Sequence, residues 1–419
     1  MTTIIDSTAT DVTPAPAPAA PAYEPAKTDA QGRFKVSNLH GGRARMELSN
    51  QWYRRPADER FLSLSSLEAH VRARAEASVT LPLKSKAIEC YAPEPEKIED
   101  THVFKIILPD GSEAEPTHFS FGQLAGLAGA PAGYLRTMPS QITKDALNYG
   151  LRFIRRVEDV KLYVRPGEDL RAITGNDYGR IYDHEVVEAV RQVAGDGTGD
   201  TRWKIPGVMD WRTMIYDPNV APTLDSTTLY SSDRDVFIFL VDDRNPIVVG
   251  KARNGEDDVM FRGFYFKNSE VGAGSCKLGF FYLRGLCENR IMWGVEGFEE
   301  LTLRHSKNAP ARFVAEAIPA MRAMAERSST KLIEAVQAAK EAVVAKDDDS
   351  ALDWLKARTA LSVGQQKKVL ELVEQEEQTH ARSVWDMAQG ITALARSIPH
   401  QDDRFAMEKI AGGLLNRVA

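Results

Sequence analysis

The sequence predicts an α+β chain: a strand-rich mixed core sheet with covering helices, followed by a helical C-terminal section. Aromatic and β-branched runs separated by turn residues fill the middle of the chain. After Asn308 the composition turns to Ala, Glu, Lys, Met and Leu, with apolar residues recurring every three or four positions. With 419 residues, 43% apolar and 27% charged, the chain can bury a sizeable core in roughly two to three units.

Residues 1–30 hold Pro14, Pro16, Pro18, Pro21 and Pro25 among Ala and Thr, which predicts a disordered tail. A core domain over 31–306 and a helical section over 307–419 follow. Residues 33–86 carry eleven Lys/Arg against five Asp/Glu, the most basic stretch of the chain. Within it Ser65-x-x-Glu68 reads as the capping box of a helix, hydroxyl and carboxylate each meeting a backbone N–H. Residues 101–108 and 113–119 around Pro109-Asp110-Gly111-Ser112 predict a hairpin. Ser120-x-x-Gln123 reads as the cap of the next helix. Another, over 140–153, starts after Pro139 and is expected to pack Ile142, Ala146, Tyr149 and Leu151 or Phe153.

Strands are predicted at 160–164 and 170–174, then a helix over 183–193 capped by Asp183. Residues 195–199 form a glycine-rich loop. Further strands are expected at 202–208, 211–216, 236–241, 259–266 and 275–283. Several are apolar on both faces, so the sheet should be covered on both sides. The C-terminal section predicts a long helix with Pro319 as a kink or break, a helix capped by Ser362-x-x-Gln365, and two more over 384–395 and 405–415.

The three cysteines lack C-x-x-C spacing, and the eight histidines lack H-x-x-x-H or H-E-x-x-H spacing, so no metal site is expected. Gly250-Lys251-Ala252 is no P-loop, no G-x-S-x-G elbow is present, and Gly272, Gly274 and Gly279 do not make a dinucleotide loop. No cofactor and no catalytic residue is therefore assigned. The Glu256, Asp257 and Asp258 cluster reads as a solvated hairpin tip. The longest apolar runs fall short of the roughly 20 residues a bilayer helix needs, and residues 1–22 lack a signal-peptide pattern, so a cytoplasmic protein without a membrane partner is expected.

A net charge of −6 confines any nucleic-acid binding to a local surface. Residues 261–272 interleave basic and aromatic side chains, a mix that stacks bases and holds phosphates. Arg54, Arg55, Arg262, Lys267, Arg284, Arg290 and Arg304 are the candidate phosphate contacts, with Tyr265 and Trp293 for stacking. Arg43, Arg45, Arg60, Arg72 and Arg74 of the basic stretch could join them. The alternative is that the aromatics are core, with the cations on a solvated face or salt-bridged elsewhere.

Four blocks carry a family resemblance: Gln51-Trp52-Tyr53-Arg54-Arg55-Pro56 with Asp58 to Phe61; Gly175-Asn176-Asp177-Tyr178 with Ile181-Tyr182-Asp183; Gly263 to Phe266 with Asn268-Ser269-Glu270-Val271-Gly272; and Leu283-Arg284 with Cys287-Glu288-Asn289. Together they resemble the phage/plasmid-like proteins that carry a domain of unknown function. Asn289 is followed by Arg290 where that pattern leads one to expect glycine. The resemblance implies a mobile-element origin and a bacterial host cytoplasm, and no established catalytic residues. By fold-level analogy it points to single-strand annealing proteins. The expected function is single-stranded DNA binding or annealing by a homo-oligomer. Two alternatives remain: an enzyme built around Asn268, Glu270, Arg284 and His305, and a structural or host-interaction protein assembling through its C-terminal helices.

Overall fold

The computed structural model describes residues 34–35, 59–94, 103–154, 157–210, 215–251, 255, 257–284, 290–291, 300–326, 329–398 and 401–417. It is 43% helix and 27% strand, with mixed sheets and a helical C-terminal section. The α+β class predicted from the sequence is the one observed.

The strands are β1 (Phe34–Lys35), β2 (Arg60–Phe61), β3 (Val79–Lys84), β4 (Glu89–Tyr91), β5 (Lys105–Ile107), β6 (Glu113–Pro116), β7 (Asp159–Val164), β8 (Asp169–Gly175), β9 (Val208–Asp210), β10 (Ile215–Asp217), β11 (Leu229–Ser231), β12 (Val236–Lys251), β13 (Asp257–Asn268), β14 (Cys276–Arg284), β15 (Arg290–Ile291) and β16 (Glu300–Leu303). The helices are α1 (Leu64–Glu76), α2 (His118–Ala128), α3 (Ala132–Leu135), α4 (Ser140–Tyr149), α5 (Asp183–Ala194), α6 (Ala309–Glu326), α7 (Thr330–Glu341), α8 (Asp348–Arg358), α9 (Val363–Glu377), α10 (Val384–Ala395) and α11 (Gln401–Leu415).

The large sheet runs β15-β14-β13-β12-β11-β2, with β16 also on β14, and its pairings are antiparallel. Period-2 alternation divides β13 cleanly. Met260, Phe264 and Phe266 face a core shared with α1, α5 and the C-terminal helices, while Val259, Phe261 and Tyr265 face an aromatic cluster that includes Tyr216 of β10. Both faces are covered, as the doubly apolar strands predict. The C-terminal helices contribute Phe313, Leu332, Val336, Val369, Trp385 and Ile391 to the sheet's own core. The change at residues 306/307 is therefore one of secondary structure and not a break in the core.

A six-stranded sheet, β3-β7-β8-β6-β5-β4, has a separate core with α2, α3 and α4; only its β6·β8 pairing is parallel. The described part of the 31–306 region thus holds more than one core. The expected hairpin at 101–119 is β5–β6, with Gly111 in the left-handed region the turn requires.

Four local readings need correction. Ser63, not Ser65, caps α1, and Glu68 instead binds Arg72 and Arg191. Thr117 caps α2, leaving Gln123 to bond Ile173 N and Val271 O. Asp183 is the first helical residue of α5, whose N-terminus is closed by Glu185 reaching Tyr182 N. Helix α4 buries Ser140, Thr143 and Leu147, with Leu151 in the following π turn, and exposes Ile142, Tyr149 and Phe153. The exposed stripe has the same three-to-four spacing as the buried one. Periodicity alone could not choose between them, because Thr143 satisfies its hydroxyl on Leu135 O.

Candidate functional site

A cavity of about 530 Å³ opens where the two sheet systems meet, a size within the range of small-ligand sites. Three separated stretches line it. Helix α1 supplies His70, Ala73 and Arg74, with Ala77 just past its end; positions spaced by three, four and seven share one helix face. The β7–β8 hairpin supplies Arg165, Asp169 and Arg171, and the end of β11 with its turn supplies Ser231, Ser232 and Asp233. Glu59 completes the wall.

The guanidinium groups are unequally satisfied. Arg165 is held by Asp169 through two bonds of 2.7 and 2.8 Å and by Glu168 at 2.6 Å. Arg74 donates to Ser232 O at 2.6 Å and to Asp183 at 3.0 Å, but its Nε has no hydrogen-bond partner. Arg171, only 2% exposed, binds Glu270 through Nη1, while its Nη2 is without a partner. Ser231, equally buried, has an unpartnered hydroxyl.

Behind this wall lies a buried charge cluster in which two of the resemblance blocks meet. Glu270 accepts from Arg171 and from Asp183 N, Asn268 donates to Ile181 O at 2.9 Å and to Asp183 at 2.8 Å, and Tyr178 donates to Ser269 O. Arg180 donates to Glu270 O and lies 3.9 Å from the Tyr163 ring centroid. Burial and the Glu270 charge push the Asp183 carboxyl up. Burial works against ionised Glu270 too, but Arg171 and Arg74 outweigh it and hold Glu270 low. Glu270 thus lies between Arg171 and Arg74, and the cleft wall itself carries Glu59, Asp169 and Asp233 beside the three arginines. Burial and then the charges of Arg74, Arg171 and Arg165 lower the His70 pKa.

Among the described residues, those singled out from the sequence do not gather into one track. Arg54, Arg55 and Trp293 lie outside the described residues, and Arg290 forms β15 opposite Leu283. Tyr265 is fully buried with its hydroxyl on Glu300, so its ring cannot stack on a base in this fold. Arg284 is 2% exposed in the wall of a second cavity, held by Asp258 through two bonds and by Glu377. Arg262 is largely buried and donates to Ser329 at 2.8 Å. Burial and ion pairing remove these three from the surface a polynucleotide could touch. Lys267 is partly exposed and Arg304 exposed.

Asn268, Glu270 and His305 each contact the segment 179–183. His305 stacks on Tyr178 and contacts Gly179 O. Arg284 binds Asp258 and Glu377 at the opposite end of the paired β13 and β14, so the four-residue enzyme site is not assembled. Asp258 is not solvated as read, being fully buried between Arg284 and Lys340, while Glu256 lies outside the described residues. Cys90 and Cys276 are buried, and burial pushes the Cys90 thiol up to about 12. Among the described residues no cluster of His, Cys, Asp or Glu could hold a metal, and no helix is long and apolar enough to cross a membrane.

Of the cleft residues, only Arg74 lay in a basic stretch that singled it out. Arg171 read as a strand residue, Arg165 lay just past another predicted strand, and Ser231 carried no signal. No family model, curated protein or solved structure matches this chain.

Proposed function

We propose that this protein binds nucleic acid, single-stranded DNA in the first instance, and that it takes a phosphate in the arginine-lined cleft. What supports the reading is one arrangement: Arg74, Arg165 and Arg171 in one cavity wall. Guanidinium forks match phosphate oxygens in geometry as well as charge. The mobile-element origin, the bacterial cytoplasm, a part in strand annealing and self-association belong to the same proposal and rest on the resemblance in the sequence.

Fluorescence anisotropy with a labelled single-stranded oligonucleotide at two salt concentrations tests it. Binding should weaken as salt rises, because phosphate contacts release counterions. Arg165→Gln should weaken binding several-fold at low salt. Absence of binding at low salt, or binding indifferent to salt, sinks the reading.

A further inference from the structure

We propose that a second copy of this chain docks on the exposed face of α4, the two helices lying antiparallel across a two-fold axis beside Tyr149. This names the surface for the self-association included above and rests on that reading; the phosphate cleft has no part in it.

One spacing sets the face. Ile142, Asp145 and Tyr149 of α4, with Arg152 and Phe153 of the π turn that continues it (Gly150–Ile154), recur at three or four residues and so lie on one side. Thr143, Leu147 and Leu151 are buried on the other. Along the outer side Ile142 is 54%, Tyr149 59% and Phe153 73% exposed, and the two rings lie 5.3 Å apart. Apolar residues exposed singly are ordinary, but a contiguous apolar row marks an interaction surface.

Charge chooses the occupant. Asp145, 77% exposed at its side chain, stands one turn before Tyr149, and the exposed Arg152 stands just after it. A two-fold axis reverses that order between copies, so Asp145 of each copy meets Arg152 of the other, Ile142 meets Phe153, and Tyr149 meets its own counterpart. An isologous interface requires such a self-complementary patch. Asp145 already has Lys144 at 3.6 Å, but a pair this exposed is screened by water and contributes little. A nucleic acid fits the face worse, because Ile142 offers no ring to stack and Asp145 repels phosphate. Five side chains make a small contact beside the roughly 800 Å² per partner of a stable complex, so the dimer should be weak and concentration-dependent.

Sedimentation velocity on the full chain over a concentration series is the test. The wild-type mass should rise toward that of a dimer. Asp145→Arg and Arg152→Asp should each weaken the dimer roughly tenfold, because two attractive pairs become two repulsive ones. An equimolar mixture of these two variants should restore it, since each chain then meets the opposite charge at both positions. Phe153→Ser should weaken it comparably. All three positions are exposed, so urea midpoints should stay near wild type. Oligomers indifferent to the three variants, or single charge variants that the mixture does not rescue, overturn the surface and leave self-association standing. A wild type monomeric throughout the series overturns both. Should Phe153→Ser lower oligonucleotide affinity with the mass unchanged, the face stacks bases and the inference falls.

Discussion

Two glycines in the large sheet show how strictly single positions are specified. Gly263 lies opposite Phe281 and Gly279 opposite Tyr265 on the paired strands β13 and β14. Each ring lies across the facing glycine: Phe281 reaches Phe239 of β12 in a stack of 4.6 Å, and Tyr265 reaches Glu300 of β16. A methyl group on either glycine would fall inside the van der Waals shell of the ring that crosses it. Gly279→Ala should therefore destabilise the protein by roughly 1–3 kcal/mol, the cost of overpacking. Gly126→Ala has the opposite sign. That residue sits exposed within α2 with nothing near an added methyl group, and the gain in helix propensity is about 0.5–1 kcal/mol. Urea midpoints of the two variants measure both. A neutral Gly279→Ala would mean that the ring-over-glycine packing is not tight. The same packing explains why Tyr265 is unavailable to a ligand: the aromatic residues that suggested base stacking are spent on cross-strand contacts.

At the scale of elements, the sheet is pinned to the C-terminal helices by charge as well as by apolar contact. Asp258 of β13 accepts from Arg284 of β14 and Lys340 of α7, while Arg284 also reaches Glu377 of α9 and lies over the Trp385 ring of α10. Burial works to raise the Asp258 carboxyl, but Arg284 and Lys340 overcome it and hold the group below the usual aspartate range. Asp258→Asn leaves Arg284 buried beside a neutral amide and should cost about 3–5 kcal/mol. The exposed Lys251–Asp257 pair next to it should yield under about 1 kcal/mol. A carboxyl with a lowered folded pKa contributes fully above its unfolded value, and the contribution is lost as pH falls through the folded one. The gap between wild type and Asp258→Asn in chemical denaturation should thus be constant near neutral pH and narrow in acid. A gap that widens in acid would refute the assignment. This network also marks what the sequence could carry. Signals spanning three or four residues were legible: Ser362-x-x-Gln365 closes α9 as read, and the Pro109-to-Ser112 turn joins β5 and β6. Asp258 was misread because its partners stand 26 and 82 positions away. The cleft was illegible for the same reason, since Arg74, Arg171 and Ser231 come from three remote segments. Only Arg74 sat in a basic stretch dense enough to draw notice.

For the whole molecule, the consequential fact is that the helical section is no appendage. Phe266 of β13 meets Phe313 of α6 edge to face at 5.8 Å, and Met260, Phe264, Leu278 and Phe280 of the sheet share one buried core with Leu332, Val336, Val369, Ile391 and Leu415. A chain ending at Ser306 would expose that face of β12, β13 and β14, strip Arg284 of Glu377, and strip Asp258 of Lys340. Each large side chain uncovered costs about 1.5–3 kcal/mol, and a handful exceeds the 5–15 kcal/mol by which domains are usually stable. The truncated chain should consequently lose near-ultraviolet circular dichroism, bind a hydrophobic dye and aggregate, with the six-stranded sheet the part best placed to keep structure on its own core. Size-exclusion chromatography with mass measurement on both chains separates this from a purely associative role. If the shortened chain stays monomeric and unfolds cooperatively near the wild-type midpoint while the full chain forms oligomers, the helices serve assembly and the shared core contributes little. If instead the shortened chain cannot hold its sheet, any oligomer of the full protein must be sought on surfaces that these helices leave uncovered.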